Sequence, residues 1–354
     1  MGLNKFFRSV RRLWLSWKKT RISADKAKEL MLHPDVAQKT LKQIRKELFW
    51  LCRNRKRGGM TVDGTIMQYF NMGIDRVGPD VHQYIFNYEM RKAREKRAIS
   101  ALGVLSDKWL TNLILKSGNV ATISPILYKS VFVSYDEAIE AIKKSGHVEF
   151  FAKLTRGSKG KGSFVFTMKE DGFDIDGEHI SDKRLIKKLQ GYIVEPLIKQ
   201  HEAMNAIYPY AVSSLRLVTM NKKGQIHIIQ SALRVGAGEN RTSNTYQGGV
   251  LLGVNDEGIL SEYGVIVKNN RGKYYSHPDT GFVFKDFKVP YWKEATELAI
   301  KAHKCFPSFH TVGWDIAITK DGPLILEGNG NWSACDFQYT EGPGKARMEK
   351  FFLK

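Results

Sequence analysis

A chain of 354 residues with 42% hydrophobic and 26% charged side chains is too long for one small module and has the composition of an ordinary folded protein. Lys and Arg total 56 against 36 Asp and Glu, a formal net charge of +20, which favours anionic partners: nucleotides, acidic sugars, nucleic acid or an anionic membrane face. No zinc-knuckle spacing, aromatic RNA-binding strand or basic zipper accompanies that charge, so specific nucleic-acid binding is not expected.

Residues 1–100 read as helical and basic. Phe6, Val10, Leu13, Trp14 and Trp17 recur at helical spacing, with Lys5, Arg8, Arg11, Arg12, Lys18 and Lys19 around them. Such a helix over residues 1–20 either lies on an anionic membrane surface or docks on its own domain. The opening Met-Gly is not a myristoylation signal, because position 6 is Phe. Arg53 to Gly59 reads as a charged connection and Met90 to Lys96 as an exposed helical face.

From Ala101 the texture changes to short strands alternating with helices. Strands are predicted over Phe150–Leu154 and Phe164–Phe166, a helix over Lys183–Leu189 and a strand over Tyr192–Val194. Leu215–Met220 and Ile226–Ile229 form a hairpin across an Asn221-to-Gly224 turn. Trp292–His303 is a helix. Asp315–Ile318 and Leu324–Glu327 form a second hairpin around Lys320-Asp321-Gly322. The pattern is α+β with antiparallel sheets. Cys52, Cys305 and Cys335 are far apart and odd in number, which points to a reducing cytoplasm. No run approaches the ~20 apolar residues of a membrane span, and the N-terminus lacks a signal-peptide core.

Three constellations carry chemistry. Between two strands, Gly157, Ser158, Lys159, Gly160, Lys161, Gly162 and Ser163 form a glycine-rich hairpin whose backbone N–H groups can approach phosphate oxygens. Lys153, Arg156, Lys159 and Lys161 could add positive charge there; a plain surface hairpin is the alternative. It is not a P-loop, since Ser163 stands where Lys is required. Next, Asp315 and Glu327 occupy the two arms of the second hairpin with Asn329 beyond them, two carboxylates and an amide suited to Mg²⁺. A strand end reaching solvent is the alternative. Finally, Arg216, Arg234, Arg241 and Asn244 precede Gly248-Gly249, where guanidiniums can clamp a phosphoryl group or a substrate carboxylate.

Taken in order from about Ser106 to Trp332, these pieces resemble the ATP-grasp superfamily. The whole chain looks most like its sugar-transfer-associated group, which is related to the α-L-glutamate ligases. The resemblance implies an ATP-grasp fold, with residues 101–195 and 196–354 as two α+β subdomains gripping ATP behind a helical region of residues 1–100. It implies Lys108 and Lys153 as ATP-contacting lysines and the glycine hairpin as the phosphate-covering loop. Glu195-Pro196-Leu197-Ile198 matches the hinge whose backbone holds adenine, and Glu202 the ribose-binding carboxylate. Asp315, Glu327 and Asn329 match the ligands of Mg²⁺, expected as two ions with Mn²⁺ able to substitute. Many ligases of the superfamily carry an arginine two residues before the first metal-binding aspartate, and Gly313 stands there instead. The implied reaction is ADP-forming ligation of a small-molecule carboxylate to an amine through an acyl-phosphate, in polysaccharide or cell-surface glycan modification with a sugar or glycan precursor as partner. Small-molecule kinase activity and non-catalytic nucleotide binding remain alternatives. The expected location is the cytoplasm or the inner face of its membrane.

Overall fold

The computed structural model describes residues 40, 42–43, 45–46, 102–157, 162–238, 242–266, 273–330 and 332. The basic helix of residues 1–20 lies outside them, as do Ser158, Lys159, Gly160, Lys161 and Arg241. The chain divides into two compact units, Met1–Met90 with Val265–Tyr274 and Ser333–Lys354, and Arg91–Gly264 with Tyr275–Trp332. All the described candidate site residues belong to the second unit.

That unit opens with helices α1 (Leu102–Ser106) and α2 (Lys108–Ser117). Asp107 separates them by capping α2, its carboxylate accepting from the backbone amides of Trp109 and Leu110. A six-stranded antiparallel sheet follows, built from β1 (Leu127–Tyr128), β2 (Glu149–Leu154), β3 (Phe164–Lys169), β4 (Gly172–Ile175), β5 (Glu178–Ile180) and β6 (Tyr192–Pro196) in the spatial order β1-β6-β2-β3-β4-β5. Helices α3 (Tyr135–Lys144) and α4 (Asp182–Lys188) supply Ala138, Ile142, Leu185 and Ile186 to its core. There Phe150 stacks on Phe166, and Phe173 meets Phe166 edge-on. Ser134 and Glu137 start α3 with a reciprocal capping box.

After the short helix α5 (Glu202–Ile207) come β7 (Ser214–Lys222), β8 (Gln225–Val235) and β9 (Val250–Gly253). Short strands β10 (Gly264–Ile266) and β11 (Lys273–Tyr274) lie at or beyond the unit boundary. The second unit resumes with helix α6 (Trp292–Lys304) and the hairpin of β12 (Thr311–Thr319) and β13 (Gly322–Asn329). Five of these strands make an antiparallel sheet in the order β9-β8-β7-β12-β13. Along β7 and β12 nearly every residue is buried, because one face packs under α6 while the other is also enclosed. On the α6 face, the Trp314 indole and the His303 ring both hydrogen-bond the Thr219 hydroxyl. Period-two alternation therefore sends Arg216 and Asp315 to the opposite face. Both hairpins anticipated from the sequence are present and longer than read. Pro196, expected in a hinge, is the last residue of β6 and pairs with Phe150.

Candidate active site

Antiparallel register places the polar residues of the second sheet in rows. Asp315 pairs with Glu327 on one side and Arg216 on the other, Arg216 pairs with Ala232, and Ala232 pairs with Gly253. One step away Gly313 pairs with Asn329, and on the other side Ser214 pairs with Arg234. Residues distant in sequence therefore meet on one surface with neighbouring strands ~4.8 Å apart.

The Arg216 guanidinium holds Asp315 by two parallel hydrogen bonds, Nε to Oδ1 at 2.6 Å and Nη2 to Oδ2 at 2.7 Å, with both side chains buried. Arg234 Nη1 approaches Asp315 Oδ1 more loosely, at 3.4 Å. Asn329 Nδ2 donates to both carboxylates, Asp315 Oδ2 and Glu327 Oε1, each at 3.2 Å. Lys108 Nζ lies 3.9 Å from Glu327 Oε2 and donates to the Gly157 carbonyl at 2.8 Å. A second buried pair forms in the first sheet, Lys153 Nζ to Glu195 Oε1 at 2.8 Å.

These surroundings drive the two facing carboxyls apart. Burial disfavours ionisation of Asp315, but Arg216 and then Arg234 outweigh it and hold this carboxyl far below the usual range. Glu327 moves up, first through removal from water and next through repulsion by Asp315, with Lys108 and Lys153 only partly offsetting this. Burial also lowers the Lys108 ammonium, against the attraction of Glu327. Among the described residues no three His, Cys, Asp or Glu side chains converge as a ready-made metal centre. Two carboxylates bridged by an amide do converge. Arg216 and, more loosely, Arg234 engage Asp315 Oδ1, while Arg216 and Asn329 engage Oδ2; a half-turn of the Asn329 amide would free a position on Oδ2 and present the Asn329 Oδ1 to the same point. This oxygen set suits a hard divalent cation, which would relieve the repulsion that raises Glu327.

The remaining sequence candidates are placed unevenly. Gly157 and Ser163 flank the glycine hairpin, while Gly162 has φ +76°, a left-handed conformation suited to glycine, and its carbonyl accepts from the Tyr192 hydroxyl. Leu197 donates its amide to the Glu149 carbonyl, so that amide is already engaged, and Ile198 follows in the same connection. Glu202 is exposed in the first turn of α5. Asn244 starts a tight turn, its carbonyl accepting from the Gln247 and Gly249 amides. At the position where the resembling ligases carry arginine, a Cβ on Gly313 would lie 2.8 Å from Trp332 Cβ and 3.1 Å from Arg216 Nη1. The space is filled, and a guanidinium from β7 already stands beside it.

One residue that supports the site had escaped the sequence reading. Gln200 is buried, donating Nε2 to the Tyr208 and Ala211 carbonyls and accepting from the Ser213 amide, which fixes the chain just before β7 delivers Arg216. A lone Gln in a polar stretch carries no signal. Asp107, which stands with Lys108 at the start of a helix in the sequence, joins the cap of α2 to Arg156 at 3.3 Å.

The model of the sugar-transfer associated ATP-grasp family matches residues 89–351. The chain belongs to this family. Its two antiparallel sheets with flanking helices form the α+β ATP-grasp fold. Among solved structures, the ADP complex of PurK, N5-carboxyaminoimidazole ribonucleotide synthetase, is 12% identical with a TM-score of 0.42, over 71% of this chain and 54% of that one. VanG D-Ala:D-Ser ligase from Enterococcus faecalis is 11% identical with a TM-score of 0.42, over 70% of this chain and 57% of that one. A biotin carboxylase complex from Campylobacter jejuni is 11% identical with a TM-score of 0.45, over 70% of this chain and 46% of that one. The ATP-grasp chain thus spans about half the length of the solved structures it matches. No curated protein matches it.

Proposed function

We propose that this ATP-grasp protein is an ADP-forming carboxylate–amine ligase working through an acyl-phosphate, with a sugar acid or amino sugar among its substrates. The reading is carried by the Asp315–Glu327 pair, joined by Asn329 and ringed by Arg216, Arg234 and Lys108. Such a surface can receive a polyphosphate and a second anion together. Asp315, Glu327 and Asn329 would hold Mg²⁺, which when bound neutralises charge on the transferring phosphoryl group.

In this reading Lys108 and Lys153 bind ATP phosphates, the hinge segment Glu195–Ile198 meets adenine, and Glu202 the ribose. With the Leu197 amide engaged, the adenine contact falls to neighbouring backbone groups of that segment. A substrate carboxylate oxygen attacks the γ-phosphorus, and the bond to the ADP oxygen breaks. The amine nitrogen then attacks the acyl carbon, phosphate leaves, and the nitrogen gives up a proton. Arg216 is committed to Asp315 by both of its short bonds, so it acts as the anchor of that carboxylate. Arg234, whose contact with Asp315 is longer at 3.4 Å, would stabilise charge on the acyl-phosphate. Ser214, its cross-strand partner, has a buried hydroxyl with no hydrogen-bond partner among the described residues and would serve the same anion.

The test is ADP release from Mg²⁺-ATP across a panel of uronic acids and amino acids, with hydroxylamine as trap. Hydroxamate formed in step with ADP supports the acyl-phosphate and identifies the carboxylate. A stable phosphorylated product without hydroxamate would replace the ligase reading with a kinase.

A further inference from the structure

The turn between β1 and α3 carries two adjacent large apolar side chains that stand exposed, Val131 at 75% and Phe132 at 92%. Tyr135, the first residue of the adjoining helix, is also exposed. Burying such side chains is favourable wherever a partner exists, and side chains this exposed in neighbouring positions mark a contact surface. The turn beneath them is braced by its own hydrogen bonds. Lys129, itself buried, donates Nζ to the carbonyls of Ser130 and Val133. The Phe132 amide donates to the Ser130 hydroxyl, the Val133 amide to the Ser130 carbonyl, and the Ser134 amide to Glu137.

The base of the turn is tied to the end of α4, because Gly191 donates to the Lys129 carbonyl at 2.8 Å. The last turn of α4 brings exposed Lys187 and Lys188 to that end. Nearby acids are largely engaged: Glu140 pairs with Lys144, Asp182 with Lys143, and Glu137 closes the capping box. Asp136 remains as an exposed acid on α3. A projecting Val-Phe pair with an aromatic ring behind it and lysines at its flank matches the chemistry of a lipid–water interface. Apolar tips enter the acyl boundary there, and ammonium groups meet anionic headgroups.

We propose that the Val131–Phe132 tip is a membrane-contact surface of this ATP-grasp protein, and that its partner is an anionic lipid bilayer. This surface belongs to the described unit and does not depend on residues 1–20 or on the reaction catalysed. The experiment is sedimentation of the full chain with phosphatidylcholine vesicles, with and without phosphatidylglycerol. The wild type binds the phosphatidylglycerol vesicles. The Val131→Ser/Phe132→Ser double variant, which touches only exposed side chains, loses about tenfold or more of that binding. Phe132→Trp retains it, and Lys187→Glu/Lys188→Glu removes the preference for phosphatidylglycerol. Wild-type protein that stays in the supernatant overturns the proposal, as does a double variant that sediments like wild type. Light scattering supplies the third outcome: a wild-type dimer that the double variant turns into monomer would make the tip a self-association surface instead.

Discussion

Asp315 and Glu327 face each other across one hairpin, yet they have different jobs and should fail differently. Asp315 is a partner in a buried ion pair, so Asp315→Ala strands the Arg216 guanidinium inside the sheet. Removal of one partner from such a pair costs about 3–5 kcal/mol, and the variant should melt well below wild type. Among the described residues Glu327 has no such counter-ion: Lys108 lies 3.9 Å away, and a third of the Glu327 side chain is exposed. Glu327→Gln should therefore keep the wild-type melting temperature within a few degrees while ADP release falls about 10²–10³-fold. A Glu327→Gln enzyme with undiminished turnover would remove this residue from the metal site. Gly313 offers a third residue-scale test. A methyl group there meets Trp332 Cβ at 2.8 Å, so Gly313→Ala should destabilise by about 1–3 kcal/mol in denaturant titrations.

At the scale of elements, the α6–β7 contact carries a pH dependence of its own. His303 is fully buried, its Nε2 against the Phe309 carbonyl at 3.0 Å and its Nδ1 against the Thr219 hydroxyl at 2.7 Å. Facing a carbonyl, Nε2 carries the proton and Nδ1 accepts from Thr219, which is the neutral ring. Burial is the main cause that lowers His303 below its ordinary 6.5, with nearby His310 adding to it and the Phe309 carbonyl opposing. The unfolded chain therefore takes up a proton before the folded one does. Stability should be full above about pH 6.5 and fall as pH drops from there toward the lower folded value, at up to ~1.4 kcal/mol per pH unit. Urea titrations between about pH 7 and pH 5 measure this, and His303→Gln should flatten the slope. Element-scale order was also what the sequence showed best. Both long hairpins and the Trp292–Lys304 helix announce themselves by run length and turn residues. Strands β4 and β5, four and three residues long, are too short to display alternation and escaped notice. The partners inside the site were harder still: a carboxylate pair on a hairpin is readable from spacing, but its clamping by Arg216, 99 residues upstream, depends on which strands become neighbours.

Over the whole second unit, the two sheets contribute unlike halves of one polar surface. Lys108 and the Lys153–Glu195 pair come with the first sheet, and the arginine-bound carboxylates with the second. Lys108 touches both parts, donating to Gly157 at the start of the glycine hairpin and approaching Glu327 on β13. A nucleotide held by both halves should therefore stabilise the unit as a body, by about 2.7 kcal/mol at a hundredfold excess over its dissociation constant. For a unit of this size that is a rise of about 5–11 °C in melting temperature with Mg²⁺-ATP. Addition of EDTA should remove much of the rise if Asp315, Glu327 and Asn329 hold the ion that ties the phosphates to β12 and β13. Lys108→Met should shrink the rise by weakening the phosphate end, while Lys293→Ala, on the exposed face of α6, should leave it intact. If Lys108→Met and wild type shift equally, the lysine is a structural bridge between hairpin and carboxylate, and the phosphates bind without it.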